Sequence, residues 1–248
     1  MNTQANRAPL PPISMQTQSR HTGHLHDVLA EHDVLGLLNP QEQQTLLRWS
    51  VIRRLDRQEV LLRRDDPPRS VILVLAGYIK LSTTCPDREV ILDVAGPGDI
   101  IGDAEVLNNR ELQADASTLT RCRILAIDAR QFLQTVEHSP NGRAVIVKLM
   151  GGRLLRATDL VIDALGLAAP ARLARVLLRL ASLRSFAAEH GGSPLRISQS
   201  ELGAMAGIAR ESVNKLLAGW RQNGWITLSN GCLVSVDVAA LSEVAQAH

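Results

Sequence analysis

Residues Ser198 to Leu217 read Ser-Gln-Ser-Glu-Leu-Gly-Ala-Met-Ala-Gly-Ile-Ala-Arg-Glu-Ser-Val-Asn-Lys-Leu-Leu, and they decide the fold of the C-terminal third. Ser198 followed three residues later by Glu201 is a capping box, so the spacing predicts a helix that starts there. Leu202, Met205 and Ala206 give it one apolar face at spacings of three and four. Gly207 tolerates the left-handed backbone that ends a helix, and a second helix is expected from about Ala209. Its apolar positions are Val213, Leu216, Leu217 and Trp220. Two short helices joined by a glycine-containing turn make a helix-turn-helix, whose second helix enters the DNA major groove.

The polar face of that second helix carries Arg210, Glu211, Asn214 and Lys215, grouped opposite the apolar stripe. Arginine can bond guanine O6 and N7 together, glutamate can accept from cytosine N4, and asparagine can read adenine, so these four are the base-reading candidates. Ser212 suits a phosphate, as do Ser198 and Gln199 at the start of the first helix; such contacts fix register without reading sequence. A merely solvated amphipathic helix is the alternative, and two capped helices around one glycine argue against it.

Two β-rich runs follow, Trp225 to Ser229 and Cys232 to Val236, joined by Asn230-Gly231. Asn-Gly is a strong two-residue hairpin signal, and a hairpin directly after a recognition helix is the wing of a winged helix. From Pro170 to Val236 there are eight basic and three acidic residues, a net of +5 in a chain whose total is +2. That asymmetry fits a phosphate-facing domain.

The 248 residues allow one large or two ordinary domains. No apolar run approaches the roughly 18 residues of a membrane span, and no signal-peptide pattern opens the chain, so a cytoplasmic protein with no membrane partner is expected. The three cysteines, Cys85, Cys122 and Cys232, form no CxxC pair and no disulfide framework. Residues 1–24, rich in Pro, Gln, Thr and Ser, read as a disordered arm. His21, His24, His26 and His32 cluster at its end without a carboxylate or cysteine to complete a rigid set, so no metal site is assigned.

Residues 25–138 read as one β-rich domain after a short helical start, in which Asn39-Pro40-Gln41-Glu42 opens a helix. Strand-like runs are Val51–Leu55, Val60–Leu62, Val71–Leu75, Tyr78–Ser82, Val90–Val94 and Cys122–Ile127, separated by Pro, Gly and Asp turns. Many short strands at near-regular spacing predict a sandwich of jelly-roll type. Residues 139–169 hold a long helix and a hinge. Val147, Met150, Leu154, Ala157, Val161 and Ala164 recur at alternating spacings of three and four, the seam of a two-stranded coiled coil. Leu149 and Leu160 point off that seam, toward the β-domain. A homodimer is expected, with Gly166 to Ala169 as the hinge to a winged helix over 170–248, and the fold class is α+β.

A jelly roll, a dimer helix and a winged helix-turn-helix in that order resemble the cyclic-AMP receptor protein / fumarate-nitrate reduction regulator (CRP/FNR) family. The resemblance covers about Leu35 to Val236. Arg210-Glu211-Ser212-Val213 is similar to the family's R-E-[ST]-V recognition-helix motif, and Gly96-Pro97-Gly98-Asp99-Ile100-Ile101-Gly102-Asp103 to its P-G-D-x-x-G-E approach to the effector cassette. The resemblance implies that Arg210 and Glu211 read the G·C pairs of a TGTGA-like half-site and that Lys215 reads a further base. The family usually has Arg at that last position; Lys donates as a point charge, so selectivity there is relaxed.

The resemblance also places an effector pocket at Gly102, Asp103, Leu112, Gln113 and Thr158. Cyclic-nucleotide binders hold the cyclic phosphate with an Arg followed by Ser or Thr. Aligned on a strand from Ala114 to Ile127, this chain has Leu112-Gln113 in that place, Asp103 in place of the ribose-binding Glu, and Ala157-Thr158 where two adenine-contacting hydroxyls belong. Burying a phosphate without a cation is costly, so cyclic AMP is not the expected ligand. With no cysteine before Cys85, the family's iron–sulphur cluster is not expected either. A haem, another nucleotide such as a cyclic dinucleotide, or no ligand stay open, and the loop Ala188 to Pro194 is the family's candidate contact with RNA polymerase. No Ser-His-Asp or Cys-His-Asp pattern supports an enzyme. The expected function is a homodimeric regulator that binds palindromic double-stranded DNA; the alternative is a sensing module whose helix-turn-helix makes only protein contacts.

Overall fold

The computed structural model describes residues 22–86, 88–189, 197–229 and 232–246. In chain order the elements are α1 (Thr22–Glu31), a 3-10 turn (Leu35–Leu37), α2 (Pro40–Arg48), β1 (Ser50–Leu55), β2 (Val60–Leu62), β3 (Ser70–Ala76), β4 (Ile79–Cys85), β5 (Arg88–Ala95) and β6 (Ile100–Ile101). There follow α3 (Asp103–Asn108), β7 (Asp115–Thr118), β8 (Cys122–Asp128), α4 (Ala129–His138), α5 (Gly142–Gly166) and α6 (Ala169–Glu189). The last elements are α7 (Gln199–Ala206), α8 (Arg210–Gln222), β9 (Ile226–Ser229), β10 (Cys232–Val236) and α9 (Val238–Gln246).

The N-terminal strands form two antiparallel sheets ordered β1-β8-β3-β6 and β2-β7-β4-β5. Between them lie Leu62, Ile72, Ile79, Ala116 and Ile124. The outer side of the first sheet is covered as well, because Val71, Leu73, Leu125 and Ile127 pack under Leu29, Leu46, Phe132 and Val145 of the helices. Burial on both faces explains why β3 reads Val-Ile-Leu-Val-Leu without polar alternation.

Three expectations are corrected. The strand read from Ala114 to Ile127 breaks at Leu119–Arg121, so that β7 and β8 belong to opposite sheets. Two hydroxyls hold the crossing: Thr118 Oγ1 accepts from Glu59 N and donates to Asp56 O, and Thr120 Oγ1 accepts from Tyr78 N. Residues 22–24, read as part of the arm, are the first turn of α1, while the rest of that arm and His21 lie outside the described residues. His32, read with the histidine cluster, is an internal cap: Nδ1 accepts from Val34 N and Leu35 N, and Nε2 bonds Gly98 O.

Helices α3, α4 and α9 were not read. The signal for α4 was present in Asp128, which accepts from Gln131 N as N-cap, and in Phe132 and Val136, one turn apart and both buried. In the C-terminal region α6 to α9 enclose Leu173, Leu177, Leu202, Val213, Leu217, Trp220 and Leu241. Tyr78, Ile91, Val94 and Leu119 of the β-domain join that same core.

Candidate nucleic-acid interface

The turn between α7 and α8 follows from its local chemistry. Ser198 Oγ accepts from Glu201 N at 3.2 Å and Ser198 N donates to Glu201 Oε2 at 2.7 Å, the reciprocal capping box. Gly207 ends α7 at φ 64°, and Ile208 N donates back to Gly203 O. Gly203 is a position the sequence reading passed over. A Cβ built there would sit 2.8 Å from the Ile208 carbonyl oxygen, because the backbone crosses the helix at that point. Gly203→Val is expected to cost about 1–3 kcal/mol by overpacking and to weaken DNA binding in proportion, checked by urea denaturation beside a binding titration.

Val213, Leu217 and Trp220 bury one side of α8. Arg210, Glu211, Ser212, Asn214 and Lys215 are exposed on the other. Among the described residues, Arg210, Glu211 and Lys215 make no side-chain ion pair. Gln199 Nε2 donates to Asn214 Oδ1 at 3.4 Å, so the helix before the turn helps to orient the asparagine. Ser198 and Ser212 stay exposed at the two helix starts. β9 and β10 pair antiparallel directly after α8, and the Asn230-Gly231 turn lies outside the described residues.

On α5, Val147, Leu154 and Val161 are 69, 68 and 56% exposed, with Ala157 and Ala164 exposed and Met150 half-buried on the same seam. Leu149 turns inward and is buried; Leu160 stays partly exposed and lines a cavity that faces β5. Among the described residues no helix is long and apolar enough to cross a membrane.

The residues of the expected effector pocket lie in different settings. Gly102 is the N-cap of α3, and Asp103 beside it is buried and ion-paired in a two-pronged contact with Arg153 of α5. Burial works to lower the Arg153 pKa, but the Asp103 hydrogen bond and charge outweigh it and hold it above its ordinary value. Arg153 was not singled out in the sequence, since nothing local marks a residue fifty positions from its partner. Leu112 is buried in the core between the sheets, and Gln113 is exposed beside it. Thr158 is exposed, with its hydroxyl donating to Leu154 O. Nearby, burial pushes the Asp99 carboxyl above its usual range, although Asp99 accepts from Gly96 N.

A cavity of about 460 Å³ lies where β5, the end of α5, α6 and α7 meet. Asp93 of β5 ion-pairs with Arg156 of α5 and Arg179 of α6, and Tyr78 Oη donates to Leu183 O of α6 at 2.6 Å. Arg172 donates to Leu167 O and to Ala206 O, which ties the α5–α6 link to the end of α7. The β-domain thus meets α5 and α6 through polar contacts, and Arg172 joins the start of α6 to the end of α7.

Comparison with known proteins agrees with this architecture. Residues 52–139 match the cyclic nucleotide-binding domain and residues 171–244 the Crp-like helix-turn-helix domain. The Cyclic AMP receptor protein of Thermus thermophilus is 29% identical over 84% of this chain and 94% of its own length. A CRP-like cAMP-activated global transcriptional regulator of Mycobacterium tuberculosis is 25% identical over 90% of this chain and 100% of its own length. Among solved structures, the c-di-GMP responsive global regulator CLP of Xanthomonas campestris has a similar fold, with a TM-score of 0.66 at 22% identity, covering 80% of this chain and 100% of that one.

Proposed function

Because the chain belongs to the CRP/FNR family of DNA-binding transcription regulators, we propose that it acts as a homodimer reading a palindromic, TGTGA-like site, under an effector other than cyclic AMP. The observation that carries the DNA-reading part is the face of α8. Arg210, Glu211, Asn214 and Lys215 stand exposed together, on a helix whose other face is locked by Val213, Leu217 and Trp220. Two such helices, related by a two-fold axis along the α5 seam, would present themselves to successive major grooves about one helical turn apart.

The effector part rests on the β-domain. Where the family's phosphate-holding cation belongs, this chain buries Leu112 and exposes the neutral Gln113. Arg153 is already engaged by Asp103. A cyclic phosphate entering there would lose water without gaining a free guanidinium. Relatives named for cyclic AMP and for c-di-GMP keep another nucleotide open as effector. The β-domain would act through the contacts at Asp93 and Tyr78, shifting the balance between two placements of the winged helix, which requires an effector that binds the two unequally.

The test is selection of bound sequences from a random DNA library, with and without cyclic AMP. An enriched palindrome in both arms is the expected result. Enrichment only with cyclic AMP would defeat the effector part, whereas no enrichment in either arm would point first to a missing effector and second to a helix-turn-helix that makes only protein contacts. On the enriched site, Arg210→Ala is expected to cost about 1–3 kcal/mol per half-site and to relax preference at one base pair. A variant that selects the same sequence as the parent would remove Arg210 from base reading.

A further inference from the structure

The cavity of about 460 Å³ between β5, the end of α5, α6 and α7 is larger than a close-packed interior leaves unfilled. Short side chains cause it. α7 presents Ala204, Ala206 and Gly207 to the cavity and α5 presents Ala164, so none of them reaches across the gap to β5 and α6. The remaining apolar lining is Val90 and Leu92 of β5, Leu160 of α5, Val176 and Leu180 of α6, and Met205 of α7. A concave apolar space of this size at a junction between domains is the usual form of a small-molecule site. None of the five residues expected at the effector pocket, Gly102, Asp103, Leu112, Gln113 and Thr158, lines it.

The charges around the cavity are unbalanced. Four arginines, Arg88, Arg172, Arg175 and Arg179, stand in the lining with two aspartates, Asp93 and Asp163. Asp163 pairs with Arg175 and Asp93 with Arg179. Arg172 donates to the carbonyl oxygens of Leu167 and Ala206, which leave its charge unneutralised. Arg88 opens β5, is exposed and, among the described residues, makes no ion pair. The lining therefore holds two cations in excess, and both of its carboxylates are already engaged. A nucleotide base would find no side-chain acceptor outside those ion pairs. An apolar body that ends in one carboxylate matches both the wall and the charge.

We propose that this cavity is a second ligand site, apart from the effector pocket, for a medium-length aliphatic carboxylate. Its apolar body would lie among Leu92, Val176 and Met205, and its head group would meet Arg88. Such a ligand bridges β5 to α6 and α7, so its binding would bias the placement of the helix-turn-helix. That consequence, unlike the binding itself, rests on the DNA-reading proposal.

Isothermal titration calorimetry of the native protein with decanoate, octanoate and cyclic AMP tests the site. Decanoate is expected to bind saturably and octanoate about fifteenfold more weakly, since each buried methylene is worth about fourfold in affinity. Arg88→Gln should weaken decanoate about tenfold, the loss of one charge-assisted hydrogen bond, and leave the ratio between the two chain lengths unchanged. Ala204→Leu should fill the cavity and abolish decanoate binding, with a thermal melt reporting that the variant is folded. Because Arg88 is exposed, its variant carries the test even where Ala204→Leu loses stability. No saturable binding of decanoate, binding that both variants leave intact, or equal affinity for the two chain lengths would overturn the proposal. So would cyclic AMP binding that Ala204→Leu removes, which would give the cavity to a nucleotide. Titration of the enriched palindrome with and without decanoate reads the consequence, expected as a several-fold shift in Kd. Unchanged DNA affinity with decanoate bound would overturn the coupling, whereas no DNA binding in either condition would overturn the DNA-reading proposal and leave the ligand site standing.

Discussion

Leu154→Glu is expected to turn the protein into a monomer and to lower its affinity for the palindromic site by about a thousandfold, toward the level of non-specific binding. The side chain is 68% exposed on α5, in line with Val147 and Val161. Leu155, Ile162 and Leu165 stand exposed on the same helix, Leu165 at 85%. A contiguous apolar surface of this kind marks an association face. A glutamate at its centre would bring two unpaired carboxylates together in the seam of a dimer, which costs several kcal/mol. Each half-site would then be bound by a separate protomer. Sedimentation velocity and a binding titration check the two effects together, and an intact dimer would remove the seam from α5.

Arg153→Met is the second large effect, about 3 kcal/mol of stability. Asp103 is 1% exposed, and its carboxylate is satisfied by the Arg153 guanidinium. Removing one member of a buried pair strands the other charge in a low dielectric. Removing both is far milder, because an apolar pair neither repays nor incurs the desolvation of two ions. The double variant Asp103→Leu/Arg153→Met should therefore regain most of the loss in urea denaturation, and the non-additivity measures the coupling. Additive losses would mean that the pair contributes little. Because Arg153 stands on α5 and Asp103 opens α3, the same variant should loosen the hold of the β-domain on the long helix, seen as faster hydrogen exchange in α3.

Much of the helix-turn-helix was legible from local sequence. The capping box at Ser198 and Glu201, the left-handed Gly207 and the spacing of Val213, Leu217 and Trp220 act within a few residues, so the chain displays them directly. The exposed apolar stripe of α5 was legible for the same reason, since a heptad pattern is a property of one helix. The strands of the β-domain were found where they were apolar and bounded by turns. The two-residue β6 was missed because pairing with β3 makes it, and β7 was run together with β8 because its end is set by the Thr118 hydroxyl, which bonds the turn between β1 and β2 about sixty residues away.

The sequence by itself determined the capped helices, the exposed polar face of α8 and the apolar stripe, because each depends on spacing within one element. Only the tertiary structure decided what touches across the fold: Arg153 on Asp103, Gln199 on Asn214, Asp93 between Arg156 and Arg179, and Arg54 set opposite Arg123. Apart from Gln199 and Asn214, which meet across the turn between α7 and α8, these pairs join residues 50 or more positions apart. A charge carries no mark of its partner until the sheets and helices have closed around it. In this chain the exposed polar face of α8 is therefore local chemistry, while the contacts that join the β-domain to the C-terminal helices are decided by packing.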